Sequence, residues 1–195
     1  MLRVISGDAK GRRLKVPSGN QIRPTSDKVR ESLFNIIGPE NTADSVFLDL
    51  FAGSGAAGIE AVSRGASFVT LVDDNVRHIK TIKDNINTCG FHKSCEVICG
   101  DVIAFLDRSA KGGRSYNIVF ADPPYNYNNW PALLSKIINN VKISGYGFII
   151  LEHSSKVSMP EQLTDLEEYG RYVYGDTTLT VYKKHGNNCN IPRDI

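Results

Sequence analysis

Long apolar runs and paired cysteines are both missing from this sequence. No stretch approaches the roughly 20 apolar residues that span a bilayer, and the N-terminus M-L-R-V-I-S-G-D lacks the basic and apolar regions of a secretory signal. The cysteines form no C-x-x-C pair, and a chain of 195 residues buries enough surface to fold without disulfides. We therefore expect a cytoplasmic protein with reduced thiols, no membrane span and no metal site.

The charge of the chain is unevenly distributed, although its composition is ordinary. Hydrophobic residues make up 41% and charged residues 23%, and the net charge is only +2. Residues 1–37 carry eight basic and three acidic side chains, so this segment is +5 and the remainder is −3. Clustered Lys and Arg release counterions when they neutralise phosphates. The N-terminal segment is therefore a candidate for contact with a polyanion, with a solvated basic face as the alternative.

From residue 46 onward, short apolar runs alternate with amphipathic ones, as in a parallel sheet covered by helices. The runs predict strands at 46–50, 68–72, 95–99, 117–121 and 147–152, and helices at 57–63, 76–88, 102–108 and 130–140. R-Y-V-Y-G-D-T-T-L-T-V-Y-K-K at 171–184 has two alternating runs around G-D, which predicts a hairpin. The sheet is therefore expected to be mixed, parallel with an antiparallel edge.

The chain before residue 46 predicts a small N-terminal extension. L-R-V-I-S-G-D-A-K-G-R-R-L-K-V at 2–16 has two alternating runs about a turn, and Ser26 suits the N-cap of a following helix. The last dozen residues hold too little apolar content to be packed. We predict a basic hairpin and helix at 1–40 that face a polyanion, a main domain at 41–184 and a tail at 185–195.

A glycine loop and a later acid predict a nucleotide site. Gly53, Gly55 and Gly58 form G-x-G-x-x-G between a predicted strand and a predicted helix. Glycines at such a turn let backbone N–H groups approach a ligand closely. Asp73 ends the second strand 20 residues after Gly53, where an acid can accept hydrogen bonds from ribose hydroxyls. This pattern favours an adenosine-containing cofactor.

Two further acids distinguish between NAD and S-adenosylmethionine. Asp49 lies four residues before Gly53, and Asp101 follows the third predicted strand, so both are expected at the edge of the sheet that carries Asp73. A carboxylate this close to the loop repels a pyrophosphate but favours a cationic sulfonium. Asp101 is placed to accept from an adenine amino group. Each acid alone is more typical of a helix N-cap, whereas together they favour ligand binding at this edge, and Asp49 favours S-adenosylmethionine as the ligand.

The stretch N-I-V-F-A-D-P-P-Y at 117–125 ends an apolar run in an acid, two prolines and an aromatic ring. Prolines fix φ and remove backbone donors, which leaves nearby carbonyls as acceptors. If Asp122 and the carbonyl of Pro123 each accept a hydrogen of an exocyclic base amine, the nitrogen lone pair can turn toward a methyl donor. Tyr125 provides a face on which the base can stack. The stretch therefore predicts methylation of a nucleobase amine.

These residues carry a resemblance to a known family. D-P-P-Y after F-A-G-S-G at 51–55 resembles the class I, S-adenosylmethionine-dependent amino-methyltransferases. R-P-T-S-D-K-V-R-E-S-L-F-N at 23–35 is similar to a signature of the RsmD-type bacterial small-subunit rRNA guanine-N2 methyltransferases, and the likeness runs from residue 3 to about residue 184. It implies an α/β, Rossmann-like fold: a seven-stranded mixed sheet, mostly parallel with one antiparallel strand, and helices on both faces. It also implies 16S rRNA or a small-subunit ribosomal particle as partner; we expect a monomer.

The resemblance also implies roles for individual residues. The catalytic residues are those of D-P-P-Y: Asp122, Pro123, Pro124 and Tyr125. The cofactor-binding residues are Asp49, Phe51, Ala52, Gly53, Gly55, Asp73, Asp74, Asp101, Val102 and again Asp122. Relatives often place Glu where Asp73 stands, and the shorter acid is still expected to reach a ribose. The residues expected to contact RNA are Arg3, Arg12, Arg13, Arg23, Thr25, Lys28 and Arg30, with helix capping and salt bridging as the alternative for those in the helix signature.

Other functions stay open at this point. DNA adenine-N6 methyltransferases use D-P-P-Y for the same chemistry, because the motif requires an amine and does not identify the base. A non-catalytic RNA-binding assembly factor and a dehydrogenase are further alternatives. Methylation of a protein glutamine is less well supported, because such sites usually contain N-P-P-Y. His78, His153 and Trp130 are expected to serve in packing or at the surface.

Overall fold

Helices and strands alternate along most of the chain. A computed structural model describes residues 2–17, 26–164 and 166–184, with the backbone alone at 145 and 146. The helices within these ranges are α1 Asp27–Ile37, α2 Pro39–Thr42, α3 Ala56–Ser63, α4 Val76–Cys89, α5 Val102–Ser109 and α6 Trp130–Asn140. The strands are β1 Val46–Leu50, β2 Phe68–Asp73, β3 Cys95–Cys99, β4 Ser115–Ala121, β5 Lys142–Ser154, β6 Gln162–Leu163, β7 Leu166–Tyr174 and β8 Thr177–Lys184. In this described part of the chain, every helix is too short or too polar to cross a membrane.

The strands form one mixed sheet in the order β3-β2-β1-β4-β5-β8-β7-β6. The first five strands in this order are parallel, and β8 is inserted antiparallel between β5 and β7. The predicted mixed sheet, mostly parallel with an antiparallel edge, is confirmed. The predicted number of seven strands is wrong, because the described residues form eight. The additional strand, β6, has two residues, too few to show an alternating pattern in the sequence.

Helices cover both faces of the sheet, as the resemblance implies. Helices α1, α3 and α4 share one hydrophobic cluster with the sheet, and α5 and α6 share the other. Strand β4 contributes Ile118 and Phe120 to the first cluster and Val119 and Ala121 to the second. This alternation follows from the two-residue period of a strand. Since β4 is buried on both faces from Ile118 onward, residues 118–121 form a continuous apolar run up to Asp122.

The predicted N-terminal hairpin is present and shares the core of the main domain. Val4 N–H donates to the carbonyl of Arg12 at 2.9 Å, and Gly11 N–H donates to the carbonyl of Val4 at 2.9 Å. Leu2, Val4 and Leu14 are buried in the cluster that contains α1, α3 and α4. Packing is therefore continuous across the boundary predicted near residue 40. That the hairpin faces RNA stays a prediction, and the predicted tail at 185–195 lies outside the described residues.

Arg30 ties α1 to this hairpin from within the core. Its side chain is 0% exposed, and one guanidinium nitrogen donates to the carbonyl of Arg3 at 2.6 Å and to Asp27 at 2.9 Å. Its Nε lies 3.7 Å from the buried carboxylate of Glu60, which also accepts two backbone N–H groups of the hairpin. A buried charge requires such partners. The prediction that Arg30 contacts RNA is therefore corrected: its guanidinium is enclosed, and its role is structural.

Close contact between the hairpin and α3 requires glycine at position 7. The N–H of Asp8 donates to the carbonyl of Ser63 at 2.8 Å, and the N–H of Ala9 donates to the Ser63 hydroxyl at 2.9 Å. Gly7 has φ +78°, and a Cβ placed there would lie 1.6 Å from the Ser63 carbonyl oxygen. Any side chain at position 7 would therefore push the hairpin away from the end of α3.

Replacing Gly7 by alanine is expected to lower the free energy of unfolding by about 3 kcal/mol or more, since a steric clash adds to left-handed backbone strain. Urea unfolding followed by circular dichroism measures this loss. Gly11→Ala is the matched control in the same hairpin: Gly11 has φ +82°, but a Cβ added there would have no atom within 4 Å. It should cost only about 1 kcal/mol. Equal losses would contradict the close packing of Gly7 on α3.

Candidate active site

The carboxyl ends of the parallel strands open into a cavity of about 1150 Å³. It lies at the switch point of the sheet, where the chain order reverses between β1 and β4, the usual ligand site of open α/β sheets. Most of the residues predicted to bind the cofactor or act in catalysis line it: Asp49, Phe51, Ala52, Gly53, Asp73, Asp74, Asp101, Val102, Asp122, Pro123, Pro124 and Tyr125. The tertiary structure thus brings the predicted cofactor half and chemical half of the site into one space.

The glycine loop between β1 and α3 is held in a left-handed conformation. Phe51, Gly53 and Gly55 have φ values of 63°, 57° and 76°. Gly55 is the N-cap of α3, and a Cβ there would lie 3.2 Å from side-chain atoms of Leu71 and Ile82. Gly55 was predicted to bind the cofactor, but it lies against the core and is not among the residues that line the cavity. Phe51 is unusual, because positive φ strains the backbone of a bulky residue. Such strained residues are concentrated at functional sites.

The carboxylate of Asp73 connects the glycine loop to the start of α4. Its Oδ2 accepts the N–H of Gly53 at 2.8 Å, and its Oδ1 accepts the N–H of Asn75 at 2.9 Å. The Nδ1 of His78 also lies 2.9 Å from Oδ1. These donors hold the side chain at the mouth of the cavity. This role of His78 was not predicted, because a histidine five residues after an acid has no distinctive pattern until the first turn of α4 brings them together.

Asp49 lies beneath the first turn of α3 and is only 2% exposed. Its Oδ2 accepts the N–H of Gly58 at 2.9 Å. A Cβ at Gly58 would lie 2.9 Å from atoms of Val69 and Leu71 and 3.1 Å from Asp49, so the third glycine of the motif permits helix and strand to approach closely. Burial raises the pKa of Asp49 to about 7; the Gly58 N–H opposes this rise, and the nearby carboxylates of Asp122 and Asp73 add to it.

Asp101 has one of the two roles that the sequence left open, the helix cap, and it also lines the cavity. Its side chain accepts the N–H of Ala104 at 2.8 Å, so it is the N-cap of α5. It is also exposed at the cavity wall, beside the buried Val102. The helix cap is thus observed, and the contact with an adenine amino group stays a prediction.

The D-P-P-Y segment leaves β4 and turns along the cavity. Pro123 is buried, and the carbonyl of Pro124 accepts the N–H of Tyr127 at 2.7 Å, which closes a turn. Tyr125 is the second residue of this turn; it is 65% exposed, although its hydroxyl accepts a hydrogen bond from Ser154 at 3.2 Å. A large aromatic ring that is exposed but held at its tip is a suitable platform for stacking a base.

Three aromatic rings and a histidine form a row along one wall of the cavity. Phe51 contacts Tyr127, Tyr127 contacts Trp130 and Trp130 contacts His153, with centroid distances of 5.7, 5.4 and 5.9 Å. Burial lowers the pKa of His153, in keeping with a neutral ring whose Nδ1 donates to the Ser154 carbonyl. Trp130 and His153 are packing residues, as predicted. The row fixes the glycine loop relative to the D-P-P-Y turn.

Apart from the enclosed Arg30, the predicted RNA-binding residues divide into three groups. Arg3, Arg12 and Arg13 are exposed on the hairpin, outside the cavity lining. Lys28 lines the cavity at the start of α1, with its Nζ 6.0 Å from the ring centroid of Tyr174. Arg23 and Thr25, also predicted to contact RNA, lie outside the described residues. The exposed hairpin arginines are thus accessible to a polyanion, and Lys28 is placed beside the entrance to the cavity.

Comparison with known proteins gives the family of the chain. The model of the family described as Conserved hypothetical protein 95 matches residues 2–183. The Escherichia coli protein named Ribosomal RNA small subunit methyltransferase D is 33% identical, with 94% of this chain and 90% of the relative covered. The chain belongs to this family of RsmD-type methyltransferases. The resemblance seen in the glycine loop, the D-P-P-Y segment and the helix signature is confirmed.

Two further relatives cover almost the whole chain. The Bacillus subtilis protein YlbH is 42% identical over 185 residues, which is 95% of this chain and all of the relative. The solved structure of the Escherichia coli protein yhhF superposes with a TM-score of 0.81 at 29% identity, covering 95% of this chain and 99% of that one. The Rossmann-like methyltransferase fold predicted from the sequence is confirmed.

The raised pKa of Asp49 predicts that this residue makes stability depend on pH. The unfolded value is about 3.9, so between about pH 4 and pH 7 the native state binds more protons than the unfolded state. The contribution of protonated Asp49 to the free energy of unfolding is therefore complete below pH 4 and is lost as the pH rises toward 7. Asp49→Asn removes this titration while an amide oxygen still faces Gly58. Its stability relative to the parent protein should rise across the window by up to about 4 kcal/mol.

Urea unfolding at several pH values between 4 and 8 measures this difference. Asp176→Asn, at the exposed turn between β7 and β8, is the control and should track the parent protein. A constant difference between Asp49→Asn and the parent across the whole window would contradict a buried, proton-binding Asp49.

Proposed function

We propose that this protein transfers a methyl group from S-adenosylmethionine to the exocyclic N2 amine of a guanine in small-subunit rRNA. The observation that carries the proposal is the D-P-P-Y turn, which opens into the same cavity as the glycine loop. The relative named Ribosomal RNA small subunit methyltransferase D supports rRNA as the substrate. The choice of guanine is our proposal alone, because the motif requires an exocyclic amine and does not identify the base.

The residues at the carboxyl edge suit S-adenosylmethionine. When bound, this cofactor supplies an electrophilic methyl group on a cationic sulfonium. Gly53 would let the backbone approach it, Asp73 would accept from its ribose, and Asp101 would accept from its adenine. Asp49 lies in the same acidic wall, and its ionised form disfavours the pyrophosphate of NAD and favours a cation. This acid-rich lining argues against the dehydrogenase alternative, which also leaves D-P-P-Y without a role.

Asp122 and the D-P-P-Y turn would act on the base. Asp122 and the Pro123 carbonyl would accept the two amine hydrogens, which turns the nitrogen lone pair out of conjugation. Asp122 would also accept the proton that the methylated amine loses. Stacking on Tyr125, worth about 1 to 3 kcal/mol, would offset part of the cost of unstacking the nucleotide. Exposed arginines on the hairpin would add phosphate contacts.

Asp122→Ala is expected to reduce methyl transfer at least about 100-fold, because it removes an acceptor that acts on the amine in the transition state. The assay uses labelled cofactor with deproteinised rRNA and with assembled small subunits. Affinity for the cofactor, measured by calorimetry, should change less than about tenfold, since Asp73 and the glycine loop remain. Undiminished transfer would contradict the role of Asp122.

Asp107→Asn, which replaces an exposed acid on α5, is the matched control and should leave transfer unchanged. Mass spectrometry of the nucleosides identifies the product. N2-methylguanosine in rRNA supports the proposal, whereas N6-methyladenosine in a DNA substrate would support the alternative that shares D-P-P-Y. RNA binding without any transfer by the parent protein would favour an assembly factor.

The exposed hairpin arginines are expected to bind phosphates. Replacing Arg12 and Arg13 together by alanine should weaken binding to small-subunit rRNA and lower the slope of log Kd against log salt by about 1.4 to 1.8, since each phosphate contact releases about 0.7 to 0.9 counterion. Fluorescence anisotropy at several salt concentrations measures the slope. Lys136→Ala on α6, on the opposite face of the sheet, is the control. An unchanged slope would contradict RNA contact by the hairpin.

A further inference from the structure

Glu152 lies beside the D-P-P-Y turn, although it belongs to no recognised motif. Strands β4 and β5 are parallel, and Ala121 pairs with Leu151. Asp122 follows Ala121 and Glu152 follows Leu151, so the two acids come next to each other in the same register at the carboxyl edge. Both line the cavity, and Glu152 is only 8% exposed. Residues in register on parallel neighbours face the same side of a sheet.

The side of β5 that carries Glu152 also holds the stacking platform. Side chains two residues apart on a strand face the same way, so Glu152 and Ser154 share a side while His153 points to the other. Ser154 donates to the Tyr125 hydroxyl at 3.2 Å, and His153 contacts Trp130 in the opposite layer. A base stacked on Tyr125 would therefore have its edge near both Asp122 and Glu152.

Two neighbouring carboxylates match the hydrogen-bonding edge of guanine. An ionised carboxylate only accepts hydrogen bonds. Guanine presents adjacent donors, the N2 amine and N1–H, whereas adenine presents its N6 amine beside an N1 lone pair. With Asp122 on the amine, a second carboxylate would accept N1–H of guanine but would face the lone pair of adenine. A buried polar group left opposite such a mismatch costs far more than a lost van der Waals contact.

We infer that Glu152 is the residue that selects guanine, by accepting the N1–H of the base whose N2 amine is methylated. This inference rests on the proposed function and adds to it the residue that recognises the base. Glu152 contacts the substrate in this assignment and takes no part in the methyl transfer itself. Discrimination against adenine then depends on a residue of β5 and not on the D-P-P-Y motif.

The test compares guanine with 2-aminopurine at the target position. 2-Aminopurine keeps the amine at C2 but carries a lone pair at N1 in place of N1–H. After the modified nucleotide has been mapped, each base is introduced by ligating a synthetic oligonucleotide into small-subunit rRNA, which is assayed free and assembled. The parent protein should favour guanine over 2-aminopurine in kcat/KM by at least about 100-fold.

Glu152→Gln should lower this preference at least about tenfold, because an amide can donate to N1 of 2-aminopurine or accept from guanine. Glu152→Asp keeps a carboxylate and should keep the preference at a reduced rate. Glu161→Gln, an exposed acid after β5, is the control and should leave both rates unchanged. Thermal unfolding and cofactor binding establish that each variant is folded.

The outcomes separate the inference from the proposed function. A parent protein that forms N2-methylguanosine yet methylates 2-aminopurine equally well would overturn the role of Glu152 alone, without reliance on any variant. An unchanged preference in folded Glu152→Gln would overturn it as well. A parent protein whose product is not N2-methylguanosine would overturn both. A strong preference for guanine in the parent that falls in Glu152→Gln and persists in Glu152→Asp supports the assignment.

Discussion

Parallel pairing of β1 with β2 and β4 places three strand ends side by side, and each end carries an acid. Neighbouring carboxylates repel one another, and burial disfavours their charged forms. Backbone N–H groups that donate to them offset this cost. Asp49 takes the N–H of Gly58, and Asp73 takes the N–H of Gly53. These two contacts join the glycine loop and the first turn of α3 to the ends of β2 and β1, and glycine at 58 permits the close approach of helix to sheet. The wall of the cavity is therefore held by hydrogen bonds to its acids.

The same acids give the cavity its chemical character. A wall that presents mainly acceptors suits ligands that bring donors and positive charge, such as ribose hydroxyls, amines and a sulfonium. The exposed ring of Tyr125 adds a nonpolar face beside this wall. Glu152 extends the row of acids to β5, beside the D-P-P-Y segment. The proposed roles of these acids, toward the cofactor and toward the base, thus rest on one feature, the acids at the carboxyl edge of a parallel sheet.

The basic N-terminal segment shows that the charge of a segment does not reveal which of its side chains are exposed. Its excess of arginine suggests a surface for a polyanion, and Arg12 and Arg13 are indeed exposed. Arg30 belongs to the same segment but is enclosed with Glu60, where it fastens the hairpin to the core. Glu60 lies 30 residues further along the chain, on another helix. Sequence spacing cannot reveal such a pair, because only the packing of α1 on α3 brings the two side chains together.

By itself the sequence determined the elements, since β4, the glycine loop and the D-P-P-Y segment depend on local periodicity, glycine and proline. It also determined the class of chemistry, because these motifs specify an amine acceptor and an adenosine-containing cofactor. Only the tertiary structure decided which acids are buried, that His78 meets Asp73, that Arg30 faces inward and that Glu152 lies beside Asp122. Contacts of this kind join residues from different strands and helices, and their energies depend on burial and distance, which exist only once the sheet has formed.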